Sequence, residues 1–140
     1  MASIELTAAN FGDHVTKPGI TVVDFWAEWC GPCRQFGPVF ESASELHPDI
    51  TFGKVDTEAE QELAAQANIT SIPNLMIFRD GILLYNRPGA MPAAGFEELL
   101  IAVQGLDMDA VRAEIEADIA QQVQAQQVAT EQQASGEVQN

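Results

Sequence analysis

The stretch ITVVDFWAEWCGPC, residues 20–33, decides the fold of this chain. Its apolar part, residues 20–26, is typical of a strand covered on both faces, and helical spacing begins after residue 33. Both cysteines of the protein, Cys30 and Cys33, lie where the strand pattern passes into the helix pattern. A dithiol at the start of a helix, beside a βαβ pattern, indicates a redox site.

Cys30 is the candidate nucleophile of this pair, and Cys33 is the candidate resolving thiol. The first turn of a helix has N–H groups without intrahelical partners and a partial positive charge, which together stabilise a thiolate. Gly31 lets the backbone turn, and Pro32, which has no N–H to satisfy, suits the first helical turn. We expect a mixed disulfide at Cys30 that Cys33, one turn further in and more enclosed, resolves.

Two alternative interpretations give the cysteines another role, either as half of a zinc site or as inert thiols. A structural zinc ion needs four ligands. Outside the pair, the sequence has no cysteine and only two histidines, His14 and His47. The shortage of ligands favours the redox interpretation, and we predict no metal site.

The stretch DFWAEWCGPC, residues 24–33, resembles the active-site stretch of the thioredoxin family. The resemblance covers roughly residues 4–104. It implies an α/β thioredoxin fold, in which a central mixed sheet is flanked by helices on both faces. It also implies a general protein disulfide reductase that is recycled by thioredoxin reductase, an NADPH-dependent flavoprotein. NADPH and FAD would then act only through that partner, and this chain would carry its electrons on the cysteines without binding a cofactor.

Asp24 is the anomaly of the apolar strand, because burying a carboxylate is costly and raises its pKa. Groups with such shifts are concentrated at catalytic sites. The matching family residue accepts the proton of the resolving cysteine, while the alternative is an aspartate that faces water at a strand end. Lys54 matches a family lysine that tunes this carboxylate, although a solvated surface lysine would fit the sequence equally well.

Pro73, in the stretch SIPNLMIF over residues 71–78, matches a proline of the superfamily that is cis and faces the dithiol. The resemblance therefore implies a cis bond after Ile72, whose free backbone would pair with an extended substrate segment. Asn74 departs from the commoner threonine. A flat, mostly apolar docking surface around one exposed sulfur would then consist of Trp29, Ile72, Pro73, Gly89 and Ala90. Such a surface binds many partners with little side-chain specificity.

The whole chain has 140 residues, of which 46% are hydrophobic, and its net charge is −15. This is the composition of one globular domain with some excess length. The charge argues against nucleic acid or an anionic membrane as partner. No apolar run reaches the ~20 residues of a membrane span, and the first residues lack the pattern of a secretory signal. We therefore expect a cytoplasmic protein, where a disulfide would be transient and catalytic, and we expect a monomer.

Three segments are predicted: a thioredoxin-like domain over residues 1–104, an amphipathic helix within 105–123, and a disordered acidic, Gln-rich tail over 124–140. Within the domain, the pattern predicts helices near residues 33–47, 58–67 and 92–103. Asp80 and Gly81 predict a hairpin turn, and Asn68 is predicted to end a helix in the left-handed region.

Two rival functions remain open at this point. A disulfide oxidase or isomerase would use the same chemistry at a higher reduction potential. The Gly-Pro pair between the cysteines favours the reductase, because isomerases typically carry Gly-His and oxidants of the DsbA type Pro-His. The other rival is a non-enzymatic binding module that uses only the apolar surface, and the intact pair of cysteines argues against it.

Overall fold

The structure is a computed structural model that describes residues 2–138, with side-chain surroundings through residue 133. By their internal contacts the residues form two units, divided between Gln104 and Gly105. The elements of the first unit, in chain order, are β1 Ile4–Glu5, α1 Phe11–Val15, β2 Ile20–Trp26, α2 Gly31–Leu46, β3 Thr51–Asp56, α3 Gln61–Gln66, β4 Asn74–Arg79, β5 Ile82–Pro88 and α4 Ala93–Gln104.

The five strands form one sheet in the order β1-β3-β2-β4-β5. β3 is parallel to both β1 and β2, whereas β4 is antiparallel to β2 and to β5. The predicted mixed sheet and the parallel β2-α2-β3 unit are both confirmed. β2 lies in the middle of the sheet, so the dithiol that follows it lies at the end of the central strand.

Alternate residues of β2 pack on opposite faces of the sheet, as the pleat requires. Val22 packs in a core with side chains of α2 and α4, among them Phe36, Phe40 and Phe96. Val23 packs in a second core with Val15 of α1 and with Leu63, which belongs to α3. The sheet is therefore covered by helices on both faces. This explains why the β2 side chains that point to either face are mostly apolar.

Turn residues lie as the sequence predicts. Asn68 has a φ of 57°, in the left-handed region, and the hairpin turn uses φ values of 54° at Asp80 and 81° at Gly81. The helix expected over residues 58–67 is shorter, because the side chain of Asp56 accepts hydrogen bonds from the N–H groups of residues 58 and 59 and holds a turn there. That helix begins at Gln61.

The second unit contains one helix, α5, Met108–Val138. The sequence pattern predicts a helix within residues 105–123 and disorder over 124–140. In the described part of that range, through residue 138, the backbone is helical, because glutamine, alanine and glutamate favour helix and no glycine or proline occurs between residues 108 and 135. Residues 139 and 140 lie outside the described range. Within residues 2–138, no helix is both long and apolar enough to cross a membrane.

Candidate active site

Cys30 is the residue that caps the N-terminus of α2. It has extended backbone angles, φ −87° and ψ 111°, and its Sγ accepts a hydrogen bond from the N–H of Cys33 at 3.2 Å. Pro32 lies in the first turn, where its missing N–H costs nothing. The two cysteines are joined by a disulfide, and their Cα atoms are 5.2 Å apart. The arrangement places the first sulfur at the positive end of a sixteen-residue helix.

The two cysteines are equally enclosed, each with 4% of its surface exposed. The prediction that Cys30 presents an exposed sulfur while Cys33 is more enclosed is therefore wrong for this oxidised form. Both residues pack in a small cluster with Ala27, beside Trp26 and Ile72. The two sulfurs differ in their hydrogen bonding, because the cap bond is received by Cys30.

The peptide bond between Ile72 and Pro73 is cis, as the resemblance implied. This bond precedes β4, and the carbonyl oxygen of Ile72 lies 3.6 Å from the Sγ of Cys30. The N–H of Gly89 donates a hydrogen bond to the carbonyl oxygen of Pro73 at 2.8 Å. Three of the five predicted docking residues are thus brought together beside the dithiol.

Gly89 and Ala90 are exposed, and Gly89 has a φ of 111°, which glycine adopts far more readily than other residues. Apart from its two chain neighbours, no described residue lies within 4 Å of the position that a Cβ atom on Gly89 would take. The loop after β5 is therefore free to approach another molecule.

Trp29 is the most exposed aromatic contact next to the dithiol, with 65% of its surface accessible. Its indole Nε1 donates a hydrogen bond to Oε1 of Glu58 at 2.8 Å. Glu58 could not be recognised in the sequence, because the only signal for its role is a polar residue in the turn after β3. Glu58 fixes the direction of an otherwise solvent-exposed ring.

Asp24 is 1% exposed, and neither of its carboxylate oxygens has a hydrogen-bond partner among the described residues. Its pKa is raised from 3.8 to about 7, chiefly because burial disfavours the charged form; the positive charge of Lys54 opposes the rise, and the negative charge of Glu41 adds to it. A carboxyl group with a pKa near neutrality can accept and release a proton under physiological conditions. Glu41 was not recognised in the sequence, where it is one of two acidic residues of α2.

Lys54 is the direct neighbour of Asp24 in the parallel ladder between β2 and β3. Its ammonium group lies over the ring of Trp26, 4.9 Å from the ring centroid. Trp26 is partly buried and packs against the cluster of Ala27, Cys30 and Cys33. It is therefore neither fully inside the core nor fully available to a target protein. The register of the two strands thus brings the lysine and the carboxylate side by side.

His47, a hypothetical zinc ligand in the sequence, lies instead against Glu97, with its Nε2 2.8 Å from Oε1. Within the described part of the chain, no group of three or more His, Cys, Asp or Glu side chains is arranged to hold a metal ion. Asn74, the residue that departs from threonine, donates from its amide to the side chain of Asn86 at 2.8 Å and so links β4 with β5.

Comparison with known protein families gives one domain match, to the family described as Thioredoxin, over residues 2–102. The match covers the whole sheet and the helices that pack on it. It ends within the last turn of α4 and includes both cysteines.

Similar proteins carry the same description. The chain is 51% identical over 111 residues to "Putative thioredoxin 2" of Streptomyces coelicolor, which covers 79% of this chain and 83% of that protein. It is 38% identical over 103 residues to the thioredoxin of Alicyclobacillus acidocaldarius, covering 73% of this chain and 98% of the relative. The crystal structure of a Malassezia sympodialis thioredoxin, Mala s 13, superposes with a TM-score of 0.65 at 27% identity, over 71% of this chain and 89% of that one.

Proposed function

This chain belongs to the thioredoxin family and is a protein-disulfide reductase that works by thiol–disulfide exchange, and on that premise we propose the role of each residue in its site. Cys30 is the nucleophile and Cys33 the resolving thiol. The observation that carries the assignment is the hydrogen bond from the N–H of Cys33 to the Sγ of Cys30 at the start of α2. In the reduced protein the same donor would face a thiolate, and hydrogen bonds to the charged form lower a pKa.

Each turnover moves two electrons from this chain to its target. The Cys30 thiolate attacks one sulfur of a target disulfide, forms a mixed disulfide and releases the first target thiolate. The Cys33 thiolate then attacks the Sγ of Cys30, which forms the intramolecular disulfide and releases the second target thiolate. The chain ends oxidised and the target reduced, and a reductase must return two electrons to restore the dithiol.

Asp24 accepts the proton that Cys33 loses before its attack. This role is supported by a pKa raised to about 7 and by burial beneath α2, the helix that carries Cys33. Lys54 limits the rise in the pKa of Asp24 through its positive charge, because the two residues are neighbours across the β2–β3 ladder. A base whose pKa is near the working pH transfers protons most efficiently.

The docking surface receives an extended segment of the target protein. It consists of Trp29, Ile72, Pro73, Gly89 and Ala90, and Gly31 and Pro32 form the turn between the sulfurs. The backbone of Ile72 supplies hydrogen-bonding groups for a segment lying alongside, in the manner of strand addition. Few charged groups are needed for this mode of binding, so the proposed substrates are disulfide-containing proteins in general.

The proposed electron donor is thioredoxin reductase, which would bring NADPH and FAD to the reaction without either molecule binding to this chain. A cytoplasmic location would suit this function, since thiols are kept reduced there. We propose that the protein acts as a monomer, because one chain supplies every residue of the mechanism.

The proposal is tested by insulin reduction with NADPH and a bacterial thioredoxin reductase. We expect Cys30→Ser to abolish the activity and Cys33→Ser to accumulate a mixed disulfide with the target, visible by mass spectrometry. Full activity of Cys30→Ser would overturn the mechanism and favour a binding module. An equilibrium potential with glutathione that is clearly oxidising would assign the chain to the disulfide oxidases or isomerases instead.

A further inference from the structure

An open groove of about 810 Å³ lies between the end of β2, the first turn of α2 and the turn after β3. Both tryptophans of the chain line it, together with three acidic residues and one basic residue: Trp26, Glu28, Trp29, Arg34, Asp56 and Glu58. Trp29 also belongs to the proposed docking surface. A target segment that lies on that surface and extends past Trp29 therefore enters the groove, to which the proposed mechanism gives no role.

Two of the three acidic residues in the groove, Glu28 and Glu58, are exposed to solvent. Among the described residues, neither side chain forms a salt bridge, and their one hydrogen bond is the one that the indole of Trp29 donates to Oε1 of Glu58. The third carboxylate, on Asp56, accepts hydrogen bonds at Oδ1 from the N–H groups of residues 58 and 59. Glu28 and Glu58 are thus the negative charges that a bound molecule can reach.

Two basic residues lie near these carboxylates, and neither neutralises them by a direct contact. Nε of Arg34 donates a hydrogen bond to the backbone carbonyl oxygen of Glu28 at 3.0 Å, and within the described part of the chain its guanidinium group forms no salt bridge. The ammonium group of Lys54 lies over the ring of Trp26, 4.9 Å from the ring centroid. The lining of the groove therefore keeps an excess of negative charge, with three carboxylates against one guanidinium.

The aromatic rings of the groove determine which kind of cation fits it. Trp29 is 65% exposed, and its hydrogen bond to Glu58 holds the ring beside the carboxylates. A lysine or arginine side chain has an apolar stem that packs on such a ring and a positive head that interacts with ring faces and carboxylates. A metal ion fits less well, because among the residues that the structure describes no group of three or more His, Cys, Asp or Glu side chains is arranged to hold one.

We propose that Glu28 and Glu58 select target proteins that carry a lysine or arginine one to three residues from the cysteine that Cys30 attacks. The inference rests on the proposed docking surface and narrows the substrates that this surface receives. Trp29 directly precedes Cys30, and an extended segment advances only ~3.3 Å per residue, so the neighbours of the attacked cysteine come within reach of the groove. The basic side chain then lies against Trp29 with its charge near the two carboxylates. The net charge of −15 attracts the same targets from a distance.

The test compares the reactions of the reduced protein with peptides that differ in a single charge. Each synthetic peptide has one cysteine, activated as a 2-pyridyl disulfide, and carries lysine, glutamine or glutamate two residues away. Cys30 attacks the peptide sulfur because pyridine-2-thiolate is the better leaving group, and its release is followed by absorbance. In about 0.15 M salt, where distant charges are largely screened, we expect the lysine peptide to react about 5- to 20-fold faster than the glutamate peptide.

The variant that combines Glu28→Gln with Glu58→Gln removes both charges, and glutamine keeps an oxygen that can accept the hydrogen bond of Trp29. We expect it to lower the lysine-to-glutamate rate ratio by at least about threefold. The matched control combines Glu45→Gln with Asp49→Asn, two exposed carboxylates near the other end of α2 and in the loop after it, and should leave the ratio within about 1.5-fold. Arg34→Gln should raise the ratio by about twofold, because it removes the positive charge of the groove.

The rate ratio is the deciding quantity, because a change in the reactivity of Cys30 affects all three peptides alike and cancels. An unchanged ratio in the groove variant, an equal fall in its control, or a fall with Arg34→Gln would each overturn the inference. The absolute rates keep the inference distinct from the proposed function. If the original protein reacts equally fast with all three peptides, only the selection by Glu28 and Glu58 fails. If it reacts with none of them, Cys30 is not the nucleophile and the proposed function fails.

Discussion

Asp24 couples the chemistry of the site to the stability of the fold, because its pKa is raised from 3.8 to about 7 by burial. Between these two pKa values the folded protein holds a proton that the unfolded chain has lost, so the free energy of unfolding falls as the pH rises, and the contribution of Asp24 to stability is complete only below the unfolded pKa. The contribution disappears as the pH rises through about 7. For a residue that is 1% exposed, the shift corresponds to roughly 4 kcal/mol.

The first prediction concerns this pH dependence. The free energy of unfolding of the oxidised protein should fall between about pH 4 and pH 8, and Asp24→Asn should remove most of that fall. Denaturant unfolding at several pH values measures both curves. Asp49→Asn, an exposed carboxylate on a loop, is the control and should leave the curve of the original protein unchanged. Parallel curves for Asp24→Asn and the original protein would mean that Asp24 keeps an ordinary pKa.

Trp29 gives a second prediction, because its exposed ring lies beside the sulfurs and is held by Glu58. Trp29→Ala should raise the KM for insulin and for the reductase by about 5- to 50-fold, since aromatic side chains dominate the energetics of binding surfaces. Leu46→Ala, which removes an apolar side chain that is 72% exposed at the end of α2, is the matched control. Equal KM values for both variants would exclude Trp29 from the docking surface.

In strand β3, Gly53 leaves room for the side chain of Leu6 from the N-terminal segment. A Cβ atom on Gly53 would overlap the side chain of Leu6, which is fully buried. Gly53→Ala should therefore destabilise the protein by about 1–3 kcal/mol, the usual cost of overpacking a core.

Gly37, which lies inside α2, is the control for that change, because a Cβ atom there would meet no described atom within 4 Å beyond the neighbouring turn of its own helix. Gly37→Ala should stabilise the protein by about 0.5–1 kcal/mol through helix propensity. Thermal and denaturant unfolding of the two variants measure both effects. A Gly53→Ala protein as stable as the original would show that Leu6 moves aside at no cost.

Most elements of the first unit were predictable because their patterns are local. The apolar run of β2, the spacing of α2 and the hairpin at Asp80 and Gly81 each follow from a few neighbouring residues. The cis bond before Pro73 was predictable only through the family resemblance, since sequence alone favours trans.

The parts that sequence reasoning missed depend on contacts between distant residues. Glu58 is 29 residues from Trp29, and Ser3 is 38 residues from Glu41. No periodicity or spacing reports such pairs, because each forms only when separate elements have folded onto the sheet. The equal enclosure of Cys30 and Cys33 was missed for a related reason: Ile72, which packs against their cluster, is 42 residues from Cys30.

Taken as one chain, the protein carries a second unit that contributes no residue to the proposed mechanism. The family match ends at residue 102, and the second unit begins at Gly105. A chain that ends at Gly105 should therefore keep its insulin reduction and its melting temperature. Activity assays, calorimetry and light scattering on both lengths measure activity, stability and oligomeric state. A change in any of the three would give the helix Met108–Val138 a function.

Both cysteines of this chain form one disulfide, between Cys30 and Cys33, and this has a practical consequence. This chain has no other cysteine that an alkylating reagent could label. A reduced molecule therefore takes up two adducts, and an oxidised molecule takes up none. A single mass spectrum of the intact protein, quenched directly from cells, would therefore give the fraction of reduced protein without any added reporter.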